Sequence, residues 1–366
     1  MHRVCVRVCV CVCVCVRVCA RVDVTHAVML YYQGLWGKWH LGNMRVENSV
    51  SAVAGPGSQG FDDWMATVRS VDMVDPNYVY DSNLANHKHC DRLKGQSAQI
   101  VMRRAVSLIQ QSVAEGVPFF ATTWFHEPHT PIQATEKHLN MYAGVKPRGK
   151  IPGHGITYWA CLTAMDEAIG NLRSELRRLR IENDTLIWFT SDNGATVGGG
   201  INTGGLQGQK FNTLEGGIRV PSVLEWPGVI RPGRVVDTPI SVMDMYPTIL
   251  DIVAGSAFEP HKKYKRVEEA GNILDGISVR GIITEEDNYP IELNKMIPIK
   301  FRDMYGMIDR NNGWKWGVSE KGGTSEMLSD VAKNPFEERT GTKNDKVFNK
   351  MKTAFKAWCR TTVLGC

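Results

Sequence analysis

The sequence has no run of about 18 or more uncharged apolar residues, so it offers no membrane-spanning helix. It also lacks a dense block of one charge. The formal net charge is only +5 over 366 residues, and basic residues cluster no more tightly than in HKKYKR (261–266). A nucleic-acid surface is therefore not indicated. No internal repeat of about 20–50 residues is evident. Cysteine is scarce where a disulfide framework would need it. Of ten cysteines, Cys5, Cys9, Cys11, Cys13, Cys15 and Cys19 fall within the first twenty residues, leaving Cys90, Cys161, Cys359 and Cys366 for the remainder.

The cysteine-rich start, RVCVRVCVCVCVCVRVCARV, alternates Val and Cys as GTG and TGT codons would if a GT dinucleotide repeat were read through; its Arg and Ala need only CGT and GCG. Residues 1–24 are accordingly read as low-complexity and structurally empty. Strict alternation of β-branched residues would also suit a strand, the thiols a metal, and a basic start before an apolar run a targeting peptide, although Arg7 and Arg17 interrupt that run.

From about Thr25 the chain reads as an ordinary globular α/β protein. HAVMLYYQGLWGKWHLG (26–42), GVPFFATTWFHEPHTP (116–131) and DTLIWFTSDNG (184–194) share one plan, an apolar strand that delivers polar residues at its C-terminal end. That plan suits a parallel sheet flanked by helices, with ligands gathered outside the carboxyl ends of the strands. Trp159, Leu162, Met165, Ile169, Leu172, Leu176 and Leu179 step by three or four and predict an amphipathic helix over 156–181. A second helix is expected in MDMYPTILDIVAG (243–255), stopping at Gly255. RDMYGMI and GWKWGVS suggest antiparallel strands and KVFNKMKTAFKAW (346–358) a closing helix. The expected organisation is an α/β domain over 25–289 and a smaller α+β subdomain over 290–366.

Several polar residues sit where those strands end. Asp192 and Asn193 offer adjacent oxygen ligands of the kind a hard cation prefers, although Asp-Asn-Gly is also a common turn. Lys38 and Lys210 would bring fixed positive charge, and His40 and His129 proton transfer, to a tetrahedral anion. Each has a plainer alternative, a solvated loop lysine or a histidine bonded to loop carbonyls. His126 rivals His129, and spacing does not choose between them.

Taken together and in order, GKWHLG (37–42), GFDDW (60–64), HEPHTP (126–131), SDNG (191–194), a glycine-rich loop with Lys210, EGGIRVP (215–221), WPGVI (226–230), TPISVMDMYPTILDIVAG (238–255) and LDGIS (274–278) resemble the sulfatase family. The likeness is closest to its arylsulfatase and N-acetylgalactosamine-6-sulfatase type, within the alkaline-phosphatase-like superfamily. It extends to a C-terminal SEMLSDVAKNPFEERTG that looks like the family's ending. The resemblance implies an alkaline-phosphatase-like, mostly parallel sheet and a sulfuric ester hydrolase acting on a sulfated glycan or a small aryl sulfate. It implies calcium held by Asp192 and Asn193 and sulfate oxygens held by Lys38 and Lys210. His129 would protonate the leaving alcohol and His40 would assist release of sulfate. Gly216, Gly217 and Arg219 would be loop scaffold. A secreted or lysosomal location is expected on the same ground.

The resemblance also names what is not found. In the family, paired aspartates end the first strand, and the cysteine of a Cys-x-Pro/Ala-x-Arg motif becomes formylglycine; both lie upstream of GKWHLG. Here no Asp-Asp precedes Asp62 and Asp63. Cys13 and Arg17 have the motif's spacing, but Cys15 occupies the Pro/Ala position within the repeat. The expectation is an incomplete calcium shell, no nucleophile, a gap at the sheet centre that lowers stability, and a truncated chain that is inactive as written. The alternatives are a non-catalytic binder of sulfated ligands and a phosphate-ester hydrolase of the same superfamily.

Overall fold

The computed structural model describes residues 11–17, 31–40, 55–67, 72–82, 87–146, 155–196, 203–254, 275–285, 295–318, 326–337 and 344–361. The main sheet has eight strands: β1 (Cys11–Arg17), β2 (Tyr32–Lys38), β3 (Asp63–Thr67), β4 (Asn77–Ser82), β5 (His87–Arg92), β6 (Phe119–Phe125), β7 (Thr185–Thr190) and β8 (Ser222–Glu225). They are ordered β5-β4-β3-β2-β6-β1-β7-β8. β2 runs parallel to β3 and β6. β1 is antiparallel to both β6 and β7, so β2, β3, β6 and β7 all point the same way. β4 and β8 run opposite to their neighbours. The sheet is thus mixed, with the strands that matter for a site sharing one carboxyl edge.

A strand at Cys11–Arg17 runs through part of the stretch expected to be an empty repeat and lies at the sheet centre, where a gap was expected. It pairs along its whole length, from Cys11 opposite Phe125 to Val16 opposite Phe120 on one side, and from Val12 opposite Thr190 to Arg17 opposite Thr185 on the other. The physical reason lies in its neighbours. The facing edges of β6 and β7 each present a row of backbone donors and acceptors at the sheet centre, where they need partners, and alternating β-branched residues suit a pleated strand. Residues 1–10 and 18–30 lie outside the described residues.

Helices cover both faces. On one, α1 (Ser97–Glu115) and α3 (Gly155–Arg178) pack on Trp36, Phe119, Ala121, Phe125 and Ile187. In α3 the residues that bury most fully include Ala160, Ala164 and Ala168 together with Leu172 and Leu176. The contact stripe is therefore shifted toward small side chains, which let α1 approach. α1 ends at Gly116, whose φ of 70° lets its N–H reach back to the last turn. Between these helices lies the short α2 (Glu136–Asn140). The short α4 (Glu215–Ile218) precedes β8. On the other face, α5 (Met245–Ala254) and α6 (Arg280–Thr284) enclose Trp188, Met245, Ile277, Val279 and Ile283.

A second, antiparallel sheet of β9 (Ile297–Phe301), β10 (Met304–Ile308), β11 (Trp314–Val318) and β12 (Met327–Asp330) follows. Its face is closed by α7 (Asp345–Thr361), where Met351 and Phe355 meet Met307 and Trp316. Two buried ionic clusters join this unit to the main sheet. Arg310 forms a fork with Asp244 at 2.7 and 2.9 Å. Lys315 lies 2.9 Å from both Glu215 and Glu337.

Candidate active site

β2, β6 and β7 end at one edge of the sheet, and each hands over a short polar segment there. Lys38 closes β2 with 4% of its surface exposed. Gly37 before it takes φ 120°, and a Cβ there would lie 1.8 Å from the Trp124 carbonyl oxygen, so only glycine permits this approach of β2 to β6. Trp39 stacks on Trp124 at 5.7 Å, and the chain then turns at His40, φ 44°.

β6 leads into His126–Pro131. His126 is buried beneath the site. Its Nδ1 lies 2.9 Å from the Asp72 carbonyl, which can only accept, and 2.9 Å from the Ser97 hydroxyl. Nε2 is then the acceptor for the Thr67 hydroxyl at 3.2 Å. Both ring nitrogens are thus committed, and burial pulls the imidazole down to about 4. Glu127 runs the other way, into the N-terminus of α1, where Oε1 accepts from Gln96 Nε2 at 2.9 Å and Ala98 N–H at 3.0 Å. Burial raises its carboxyl. Sequence reasoning passed over this anchor, although an acid between the two histidines was its visible signal.

His129 lies nearer the surface. Its Nδ1 donates to the Thr130 carbonyl at 2.6 Å, which assigns the tautomer and makes Nε2 the atom that gains and loses a proton. Burial is the main influence holding this imidazole below its ordinary value. Lys38 and Lys210 push the same way, while the Thr130 carbonyl and Asp192 oppose. His40 is lowered by partial burial, then by Lys38 and Lys210. Both histidines therefore sense both lysines, and His129 also senses Asp192, so Lys38, His40, His129, Asp192 and Lys210 share one electrostatic neighbourhood.

After β7, Asp192 Oδ1 accepts the Asn193 N–H at 2.8 Å. Asn193 Nδ2 donates to the Gly194 carbonyl at 3.0 Å, which makes its amide oxygen the acceptor end. The pair is a tight turn and an oxygen donor set at once. It fits part of a hard-cation shell of roughly six to eight oxygens. Among the described residues no group of three His, Cys, Asp or Glu side chains gathers that could hold a metal on its own.

Glycines stitch the Lys210 loop to this turn. Gly194 N–H donates to the Gly217 carbonyl at 2.9 Å, and Lys210 N–H to the Ala195 carbonyl at 2.8 Å. A Cβ on Gly194 would sit 1.8 Å from the Gly216 oxygen, and one on Gly216 would sit 2.4 Å from the Gly208 oxygen. Gly194→Ala is accordingly expected to cost about 1–3 kcal/mol in chemical denaturation. An unchanged midpoint would show that these two loops do not need their close approach.

The Sulfatase family profile matches residues 30–256. The chain is 29% identical over 245 residues to N-acetylgalactosamine-6-sulfatase of Canis lupus familiaris, an alignment covering 61% of this chain and 42% of that protein. It is 36% identical over 155 residues to steryl-sulfatase of Homo sapiens, covering 39% and 26%. The alignments thus span less than half the length of these relatives. Among solved structures, Ps i-CgsB in complex with k-i-k-neocarrahexaose shares the fold at a TM-score of 0.71 and 22% identity, over 90% of this chain and 71% of that one. With the profile covering most of its length, and with the polar ends of β2, β6 and β7 meeting at one edge, the chain belongs to the sulfatase family.

Proposed function

We propose that this chain builds the sulfate-holding and proton-transfer part of a sulfuric ester hydrolase acting on a sulfated carbohydrate or aryl sulfate. Lys38 and Lys210 hold the sulfate oxygens, His129 protonates the departing alcohol through Nε2, and His40 assists release of sulfate. One observation carries the reading: two lysines and two histidines meet at the joint carboxyl edge of the sheet, where burial lowers both imidazoles and the lysines add to it.

The chemistry follows from the signs. With the site empty, both imidazoles are neutral at pH 7 and cannot act as acids. A sulfate ester placed between the lysines adds negative charge, which stabilises the imidazolium and raises both values again. Substrate thus supplies the condition for its own protonation. Asp192 and Asn193 would contribute two oxygens to a calcium ion, whose charge, when bound, would help hold the sulfate group. The formylglycine motif does not fit this chain: Cys13 lies inside β1, level with Thr123 and Phe189, and Arg17 lies at the opposite rim, level with Thr185. No covalent step is assigned here. A secretory or lysosomal location goes with this reading and is supported by the disulfide at Cys359. No helix among the described residues is long and apolar enough to cross a membrane.

Imidazole NMR during titration with inorganic sulfate tests the reading. Sulfate is expected to raise the values of His40 and His129 and leave His126 unmoved. Lys210→Ala should raise both even without sulfate, because a neighbouring positive charge is gone, and weaken sulfate by about tenfold or more. If sulfate moves neither histidine, the assignment fails. Tighter binding of phosphate than sulfate would transfer the site to phosphate esters.

A further inference from the structure

The residue after Lys210 is a phenylalanine in the left-handed region, φ 76°, with 60% of its surface exposed. A bulky side chain at positive φ is a genuine outlier that costs on the order of 1–3 kcal/mol, and burial does not offset it here. Its ring is tilted against that of Phe301 at 5.8 Å. Phe301 ends β9 at the turn into β10, and the next residue, Arg302, also at positive φ, lays its guanidinium over the Phe301 ring at 5.3 Å. At the other end the Lys210 ammonium stands 5.5 Å from the Phe211 ring. The result is a strip of ammonium, two aromatic rings and guanidinium, formed where the second sheet's hairpin meets the sulfate-holding loop.

Resting on the assignment of Lys210 to sulfate, we propose that Phe211, Phe301 and Arg302 form a subsite for the alcohol side of the ester. Its ligand is an acidic oligosaccharide: a sulfated sugar whose ring covers Phe211, followed by a neighbouring ring bearing a second anionic group on Arg302. Aromatic rings suit the apolar face of a sugar, and a guanidinium suits a sulfate or carboxylate. Two rings stand between Lys210 and Arg302 in this sequence of contacts, so a small aryl sulfate anchored at Lys210 leaves Arg302 unused. Specificity thus comes from the second sheet and sulfate capture from the first.

Calorimetric binding to the full chain separates the two claims, with inorganic sulfate, a monosulfated N-acetylhexosamine and a disulfated disaccharide as probes. The wild type is expected to bind the disaccharide about tenfold tighter than the monosaccharide, and Arg302→Gln to erase that difference. Phe211→Gly should weaken both sugars about threefold or more beyond any change in inorganic sulfate, and not lower Tm, because glycine accepts φ 76° without strain. A Phe211→Gly chain that binds both sugars as the wild type does, or that loses Tm because the ring is packing, overturns the subsite. So does failure of the wild type to bind the disaccharide. Loss of inorganic sulfate binding in the wild type instead strikes the lysine assignment beneath it.

Discussion

Replacing Arg310 with leucine is expected to remove about 3–5 kcal/mol of stability, the cost of leaving a buried charge without its partner. Asp244 is fully buried and Arg310 is 2% exposed. The two Asp244 oxygens receive Arg310 Nη1 and Nη2 and also the Ser241 and Ile277 N–H groups at 2.7 and 2.9 Å. Arg310 in turn donates to the Lys295 and Pro239 carbonyls at 2.8 and 3.1 Å. One carboxylate thus caps the turn before α5, holds the segment at Ile277 that leads into α6 and docks the β10–β11 hairpin. Removing the guanidinium undocks the hairpin, leaves the carboxylate buried without its counter-charge and takes a donor from two carbonyls. Urea unfolding should register the loss, and Arg310→Leu with Asp244→Leu should recover it only in part, since the buried charge goes but the Ser241 and Ile277 N–H groups lose their acceptor. The exposed pair Lys94–Asp75, with the lysine side chain 78% exposed, is the internal control and should change stability by less than about 1 kcal/mol when Lys94 is removed. A loss equally small at Arg310 would show that this ion pair does not anchor the hairpin.

The second large effect depends on pH. His126 has a folded-state value of about 4 against 6.5 for an ordinary histidine. Above 6.5 it is neutral in both states and has no effect. Below 6.5 the unfolded chain binds a proton that the folded one refuses, so stability falls as the pH drops through the window from 6.5 to 4, by roughly 3 kcal/mol in all. Glu127 next to it has the opposite sign. Burial raises its carboxyl, so the folded state keeps a proton longer and loses stability as the pH rises past the ordinary carboxylate range. The two must be separated by substitution. His126→Gln should flatten the acid limb of a plot of unfolding midpoint against pH, whatever its effect at pH 7. Direct titration of the His126 ring by NMR near 6.5 would contradict the burial that the geometry assigns it.

Much of the architecture was readable because it rests on local periodicity. The step of three and four that predicts a helix over 156–181 reflects a real apolar stripe, and the helix spans Gly155–Arg178. β2, β6 and β7 read as strands because buried parallel strands are apolar on both faces. The hairpin of β4 and β5 was not readable. HKHCDR has no apolar alternation, and it becomes a strand by pairing with β4, which is itself held in the sheet by β3. The choice between His126 and His129 was equally hidden. They stand three positions apart, and what sorts them is whether the ring falls beneath Ser97 at the start of α1 or outside it, a tertiary fact. The left-handed turn at Phe211 had no sequence mark, because nothing but glycine announces a positive φ.

β1 has one further consequence, for the order in which the sheet can be assembled. β6 and β7 share no ladder; each pairs with β1 instead. Of the described strands, β1 leaves the ribosome first, yet its two partners are separated from each other by α1's neighbour α3 and emerge long after it. Until then β6 can close only with β2 and β7 only with β8. The sheet is therefore two half-sheets awaiting a clasp, and the clasp is the segment that has waited longest. High contact order of this kind slows folding, so an alternating Val-Cys strand with both edges open is the stretch that a nascent-chain chaperone would have most reason to cover.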